Sequence, residues 1–148
     1  MPGKKVWIGL GVVLVLGVGV SRLLGSRPEA TELDAPIARC PSTPNCARLR
    51  VPLAADPLAV VDAVHQTLPS LSGASLVTPT PTGALAAFTV GPFSDEVAVE
   101  VEAGSRGAVL WVRSASRVGR SDWGVNARRA QRIVAAVAGW LPPEALAR

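Results

Sequence analysis

The sequence lacks most of the side chains from which metal sites and nucleic acid-binding surfaces are built. Among 148 residues there is no tyrosine, one histidine and two cysteines, with four tryptophans and two phenylalanines. Zinc sites draw mainly on several histidines and cysteines, and single-stranded nucleic acid is held largely by stacking on aromatic rings. We therefore expect no metal site and no nucleic acid partner.

The local signatures of common enzymes are also missing. The chain has no G-x-S-x-G elbow, no Walker loop and no dinucleotide-binding fingerprint. His65, the single histidine, lies beside an apolar helical stripe, where a histidine usually packs. Asp95 and Glu96 are adjacent in a strand-like run and so point to opposite faces, which disfavours a hydrolytic pair. We expect no catalytic residue and no cofactor.

Beyond the amino terminus, the chain carries no excess of positive charge. Four of the fifteen basic residues lie in the first 27 positions, where no acid occurs, so the other eleven balance the eleven acids. The net charge of +4 therefore belongs to the ends of an apolar segment and does not indicate nucleic acid binding. Residues 28–102 are mostly acidic and residues 103–148 mostly basic, which indicates that the two parts pair in the fold.

The amino terminus has the pattern of a membrane anchor. Lys4 and Lys5 precede fifteen uncharged residues, and a span of about 20 residues is reached if Arg22 extends to the interface. A cleaved signal starts in the same way, but the small-residue cleavage pattern is poor here. We favour an uncleaved transmembrane helix in residues 1–25, a linker in residues 26–39 and a domain in residues 40–148. The lysines then place the domain on the extracytoplasmic side of the cell membrane, with a single pass.

Cys40 and Cys46 lie in the short segment CPSTPNC. If the domain is exported, its compartment is oxidising and a disulfide is the expected state of the pair. Closing so short a loop stabilises the fold by roughly 2 kcal/mol in the chain-entropy model. The spacing is not the C-x-x-C of redox enzymes, so we interpret the bridge as structural.

The remaining chain alternates between helical and strand-like patterns. Asp56 followed by proline predicts the start of a first helix, and turn residues separate four runs with strand character. The predicted elements are a helix at 57–68, strands at 74–78, 84–90, 95–102 and 108–114, and a helix at 122–141. This order predicts an α+β fold: a four-stranded antiparallel sheet flanked by two helices, an α-β-β-β-β-α two-layer sandwich, preceded by the N-terminal transmembrane helix.

The last predicted helix carries an apolar stripe that includes Ala130, Ile133 and Val137. Arg128 and Arg129 are interpreted as lying off this stripe. Ser121 or Asp122 is expected to cap the helix at its start.

The most distinctive stretch is residues 113–129, RSASRVGRSDWGVNARR. A tight turn near Gly104 would bring Glu96 opposite Arg113 and Asp95 near Ser114, so that Asp95 and Glu96 could pair with Arg113 and Arg117. In this structural interpretation, acids neutralise the arginines and fix a rigid corner; the acids concerned are Asp95, Glu96 and Asp122.

A second interpretation of the same stretch is an anion-binding site. Arginines beside a helix amino terminus suit phosphate, sulfate or carboxylate groups. The residues that would form this site are Arg113, Ser116, Arg117, Asn126 and Arg128. The sequence leaves both interpretations open.

Three motifs resemble a known family, the domain of unknown function numbered 1499. The family pattern begins with C-P-x-x-P-N-C, continues with an F-x-D-D-like segment and ends with R-S-x-S-R-x-G-x-x-D-x-G-x-N-x-x-R. The resemblance covers roughly residues 38–141 of this chain. The positions matched to the pattern are Cys40, Pro41, Pro44, Asn45, Cys46, Phe93, Asp95, Arg113, Ser114, Ser116, Arg117, Gly119, Asp122, Gly124, Asn126 and Arg128.

The resemblance implies an envelope protein behind a signal, lipid anchor or membrane segment, without an assigned activity, substrate or cofactor. We therefore expect a membrane-anchored extracytoplasmic domain that is not an enzyme and serves as a binding or envelope-structural module. Its expected partners are the membrane, through the N-terminal helix, and an anionic small molecule, a lipid headgroup or an envelope protein. The alternative is an enzyme or receptor that acts on an anionic envelope ligand through residues 113–128.

Overall fold

The computed structural model describes residues 36–146, which belong to one compact unit. The predicted anchor in residues 1–25 and the first part of the predicted linker, residues 26–35, lie outside the described residues. Within the described range, no helix combines the length and the apolar character that a membrane crossing requires.

Five strands, two α-helices and one short 3-10 helix make up the described part of the chain. The strands are β1 (Cys46–Leu53), β2 (Ala74–Thr80), β3 (Gly83–Val90), β4 (Phe93–Gly104) and β5 (Gly107–Ser116). The helices are α1 (Pro57–Ser70) and α2 (Val125–Ala138), and the 3-10 helix is Pro143–Leu146. The predicted α+β class, with an antiparallel sheet and two helices, is confirmed.

The prediction of four strands is wrong, because β1 adds a fifth strand at the edge of the sheet. The strand order is β1-β5-β4-β3-β2, and every neighbouring pair is antiparallel. The sequence of β1, CARLRVPL, does alternate: Ala47, Leu49 and Val51 pack against the core, whereas Arg48 and Arg50 face the other side. Pro52 is tolerated because β1 is an edge strand.

Both helices cover the same face of the sheet. The core between the two layers takes alternate residues of β3, β4 and β5, together with one stripe from each helix. Its largest fully buried apolar side chains in these elements are Phe88, Val97, Val99, Leu110 and Val112 from the sheet and Val60, Val64, Leu68, Ile133 and Val137 from the helices. Among residues 36–146, no helix lies on the opposite face of the sheet.

Local chemistry explains two of the element boundaries. Asp56 caps α1, since its Oδ1 accepts hydrogen bonds from the backbone amides of Leu58 and Ala59. The β4–β5 hairpin closes where Gly104 pairs with Gly107. Gly107 has a φ of +137°, and a side chain at this position would run into the carbonyl oxygen of Leu53 on β1.

Candidate functional site

The helix-free face of the sheet carries a row of residues that changes from apolar to cationic. Directly opposed residues of antiparallel strands share a face. The pairing therefore places Thr78, Leu85, Ala98, Arg113 and Arg48 in one line across the five strands. Leucine and alanine occupy the β3 and β4 positions of this row, and arginine occupies the β5 and β1 positions.

An open groove of about 430 Å³ lies along the apolar part of this row. Small-molecule sites in proteins commonly have volumes of about 300–1,000 Å³. We call it the helix-free groove. Its lining residues are Leu76, Thr78, Leu85, Ala86, Ala87, Glu96, Val97, Ala98, Arg113 and Arg117.

Arg113 is the cation of this groove that no carboxylate neutralises. The described residues contain two ion pairs, and Arg113 takes part in neither. Its Nε is buried and has no hydrogen-bond acceptor within the described part of the protein. Its direct cross-strand neighbour is a second arginine, Arg48, so the strand pairing itself places two like charges side by side.

Arg48 differs from Arg113 in having an aromatic neighbour, although its Nε and Nη2 are also buried without a hydrogen-bond acceptor in the described part of the protein. Its guanidinium carbon lies 4.5 Å from the ring centroid of Trp111, and that of Arg50 lies 5.7 Å from the same ring. The indole Nε1 of Trp111 donates a hydrogen bond of 2.7 Å to Glu102. Cation–π contact stabilises Arg48 without a carboxylate. No comparable ring contact is recorded for Arg113 in the described part of the chain.

Arg117 stands at the rim of the helix-free groove and pairs with Glu96. Its Nη2 and the Oε1 of Glu96 are 2.9 Å apart, and its Nε donates to the same oxygen at 2.9 Å. More than half of each side chain is exposed. The two arginines and the single glutamate give the groove a net formal charge of +1, which is carried by Arg113.

A second polar cluster lies on the helix-covered side of the sheet. We call it the polar network, and its members are Asn45, Asp95, Ser114, Ser116, Asn126 and Arg129. Arg129 donates through Nη1 to Asp95 at 2.9 Å, to Ser114 at 3.0 Å and to Asn126 at 3.0 Å. Asn126 donates through Nδ2 to Ser116 Oγ at 2.8 Å and to the carbonyl oxygen of Asn45 at 2.9 Å.

The polar network is closed to solvent except at Ser116, which is half-buried. Ser114 and Asn126 are fully buried, and Asp95 and Arg129 are exposed by no more than 6%. The network joins the entrance to β1 through Asn45, the start of β4 through Asp95, the end of β5 through its two serines, and the first turns of α2. Its hydrogen bonds therefore fix where the strand ends meet the helix.

The partner of Asp95 differs from the predicted one. The β4–β5 register places Asp95 opposite Ser116 and Glu96 opposite Ala115, two residues from the predicted pairing with Ser114 and Arg113. The turn is centred one residue later than predicted, with Ser105 and Arg106 alone between the paired glycines. A shift of two residues keeps each side chain on its face. Asp95 therefore faces α2 and meets Arg129, whereas Glu96 faces the groove and meets Arg117.

Arg129 is the residue of the polar network that the sequence interpretation missed. It follows Asn126 by three residues and precedes Ile133 by four, so it lies on the buried face of α2 and not off the stripe. When the family pattern is aligned from Arg113, its final arginine falls on Arg129. The match to Arg128 given in the sequence analysis was therefore wrong by one residue. Both signals were present in the sequence.

Asp122 lies just before α2 and holds its first turn. Its Oδ1 accepts the backbone amide of Gly124 at 2.9 Å, and its Oδ2 accepts that of Asn126 at 2.7 Å. Burial alone would raise the pKa of Asp122, but these hydrogen bonds outweigh it and hold the pKa below the usual 3.8. The helix begins at Val125, so the predicted start at residue 122 is three residues early.

The structure does not bring the five predicted anion-site residues together. Arg113 and Arg117 line the helix-free groove, whereas Ser116 and Asn126 belong to the polar network on the other side of the sheet. Arg128 is exposed at the start of α2, where its Nη1 donates to the carbonyl oxygen of Trp123 at 3.1 Å.

The remaining polar candidates have local roles. Cys40 and Cys46 form the predicted disulfide, with their Cα atoms 5.6 Å apart. The Nε2 of His65 lies 2.8 Å from the carbonyl oxygen of Gly83 and 3.1 Å from that of Thr80. Both carbonyls are acceptors, so Nε2 carries the hydrogen and joins α1 to the β2–β3 turn. Over residues 36–146, no group of three or more acidic, histidine or cysteine side chains is arranged to hold a metal ion.

The chain matches a known protein family. A family model described as "Protein of unknown function (DUF1499)" matches residues 36–137, more than half of the chain. The matched range contains both the helix-free groove and the polar network. No curated protein matches the chain.

Proposed function

The chain belongs to the DUF1499 family, as its motifs predicted, and because that family is described as being of unknown function, we propose a function from the geometry of the chain itself. The protein is a non-catalytic binding module on the outer side of the cell membrane, held there by its N-terminal helix. It binds a ligand with an anionic group at Arg113 in the helix-free groove.

The observation that carries this proposal is the unneutralised charge of Arg113. A partly buried guanidinium beside a second arginine is unfavourable unless an anion completes it. Arginine binds carboxylate and phosphate groups through two parallel hydrogen bonds, and no described residue offers the Nε of Arg113 an acceptor. The groove is open to solvent, so a ligand can reach this side chain without rearrangement of the sheet.

Acetate is the simplest probe of the binding function. We expect the melting temperature of the full chain in phosphatidylcholine nanodiscs to rise with acetate concentration at constant ionic strength, because a ligand that binds the folded state stabilises it. The Arg113→Gln variant should lose this rise. Differential scanning calorimetry measures both melting temperatures.

Arg106→Gln is the matched control, since Arg106 is exposed at the β4–β5 turn and lies at the opposite end of β5 from Arg113. It should keep the acetate-dependent rise. An equal rise in the Arg113→Gln variant would refute the assignment of the anion to this groove.

The proposed location rests on two features of the chain. The charged and apolar start of the sequence is typical of an inserted segment, and the pairing of Cys40 with Cys46 suits an oxidising compartment. We expect both cysteines to resist alkylation in protein taken from cells without reductant, and the intact mass to include residues 1–25. Mass spectrometry checks both, and alkylation of both thiols would contradict export.

A further inference from the structure

The floor of the helix-free groove is more apolar than the solvent side of an antiparallel sheet usually is. Positions on such a face normally carry polar side chains. Here Leu76 is 65% exposed and Leu85 is 50% exposed, and both line the groove with Ala98. Leu76 lies on β2, Leu85 on β3 and Ala98 on β4, so the apolar surface continues across three neighbouring strands.

The apolar floor lies next to the cation. Leu85, Ala98 and Arg113 are consecutive members of the same cross-strand row. Strands in a sheet are about 4.8 Å apart, so about 10 Å separates the backbone positions of Leu85 and Arg113. A ligand that uses both must carry an apolar part of about this length attached to its anionic group.

The cations beside the apolar floor favour a negatively charged headgroup. Glu96 already neutralises Arg117 at the rim, so Arg113 is the unpaired cation among the lining residues. Arg48, its cross-strand neighbour, adds a second positive charge that no carboxylate of the described residues neutralises. Carboxylate and phosphate groups both carry the negative charge that these two arginines attract.

We infer that the helix-free groove binds an anionic amphiphile, with its acyl chain on Leu76, Leu85 and Ala98 and its headgroup on Arg113. This inference rests on the proposed function, because it names the ligand class of the same groove. Burial of the exposed leucines supplies the apolar part of the affinity, and the guanidinium orients the headgroup.

Octanoate tests this inference as a probe with one charge and one short chain. Equilibrium dialysis of radiolabelled octanoate against the full chain in phosphatidylcholine nanodiscs gives its Kd, with empty nanodiscs correcting for partition into lipid. We expect octanoate to bind at least about tenfold more tightly than acetate, since the chain buries apolar surface.

Two groove variants and one control assign the binding to the two parts of the site. Arg113→Gln should weaken octanoate binding by roughly tenfold or more, because it removes a charge-assisted contact. Leu85→Gln should weaken it by roughly three- to tenfold through the loss of apolar burial. Leu58→Gln on α1, where the leucine is 72% exposed on another element, should leave it unchanged.

Each alternative outcome rejects a defined statement. Octanoate binding no tighter than acetate, with both lost in Arg113→Gln, would reject the amphiphile and leave the anion site standing. Absence of binding by either probe would reject the proposed function as well. Octanoate binding that neither groove variant changes would show non-specific partition and overturn the inference.

Discussion

Three arginines within residues 113–129 differ in their burial and in their ion pairing. Arg129 is buried and neutralised by Asp95, Arg117 is exposed and paired with Glu96, and Arg113 has neither partner. Breaking a buried pair typically costs about 3–5 kcal/mol, whereas an exposed pair contributes about 0–1 kcal/mol. Of the two ion pairs in this stretch, the buried pair of Asp95 with Arg129, which the sequence did not predict, is therefore the one whose loss should destabilise the fold more.

Asp122 offers a test at the scale of one titrating group. Its pKa is lowered in the folded state, so the stability it contributes is present above its unfolded pKa and is lost as pH falls through the folded value. We expect Asp122→Asn to cost about 1 kcal/mol near pH 7, as for the loss of a helix cap, and progressively less below about pH 4. Melting temperatures of both proteins from pH 7 to pH 3 measure this difference.

The pH dependence of this difference shows whether the ionised carboxylate of Asp122 stabilises the start of α2. If the difference between the two melting temperatures stays constant from pH 7 to pH 3, ionised Asp122 is not what holds the first turn of α2. Asp62, which is exposed on α1, provides the matched control through Asp62→Asn.

At the scale of elements, the positions of α1 and of the β4–β5 hairpin could be predicted from local chemistry. The Asp56-Pro57 cap located α1, and the glycine turn located the β4–β5 hairpin, because each is specified within a few residues. β1 was missed although its alternation is regular. It has no neighbour along the chain to pair with, and its partner β5 lies some sixty residues away. Pairing of that kind is set by the whole sheet.

The candidate site was less predictable than the fold, for a physical reason. Arg113 and Arg117 were identified as anion-site residues, but the apolar floor beside them comes from β2, β3 and β4. Leu76 and Leu85 have the sequence pattern of ordinary strand residues, and their sequence neighbours do not indicate that they are exposed. Their exposure results from both helices covering the other face of the sheet.

At the scale of the described molecule, the sheet separates the buried polar network from the groove for which we propose a binding function. Family-pattern residues that reach the helix-covered face, such as Asn45, Asp95 and Asn126, close a buried network and leave no surface for a ligand. The helix-free face holds the groove and the unneutralised Arg113. The arginine-rich stretch serves both faces because alternate residues of β5 point to opposite sides.

The most direct test of this separation compares Arg129→Gln with Arg113→Gln in ligand-free protein. Each variant replaces one guanidinium with an amide, so the two changes are chemically matched. We expect Arg129→Gln to lower the melting temperature by roughly ten degrees or more, because Asp95 is left buried without its partner. Arg113→Gln should keep or slightly raise it, because the change removes a like-charge neighbour of Arg48. Equal losses of stability in the two variants, measured by calorimetry, would contradict the division between a structural face and a binding face.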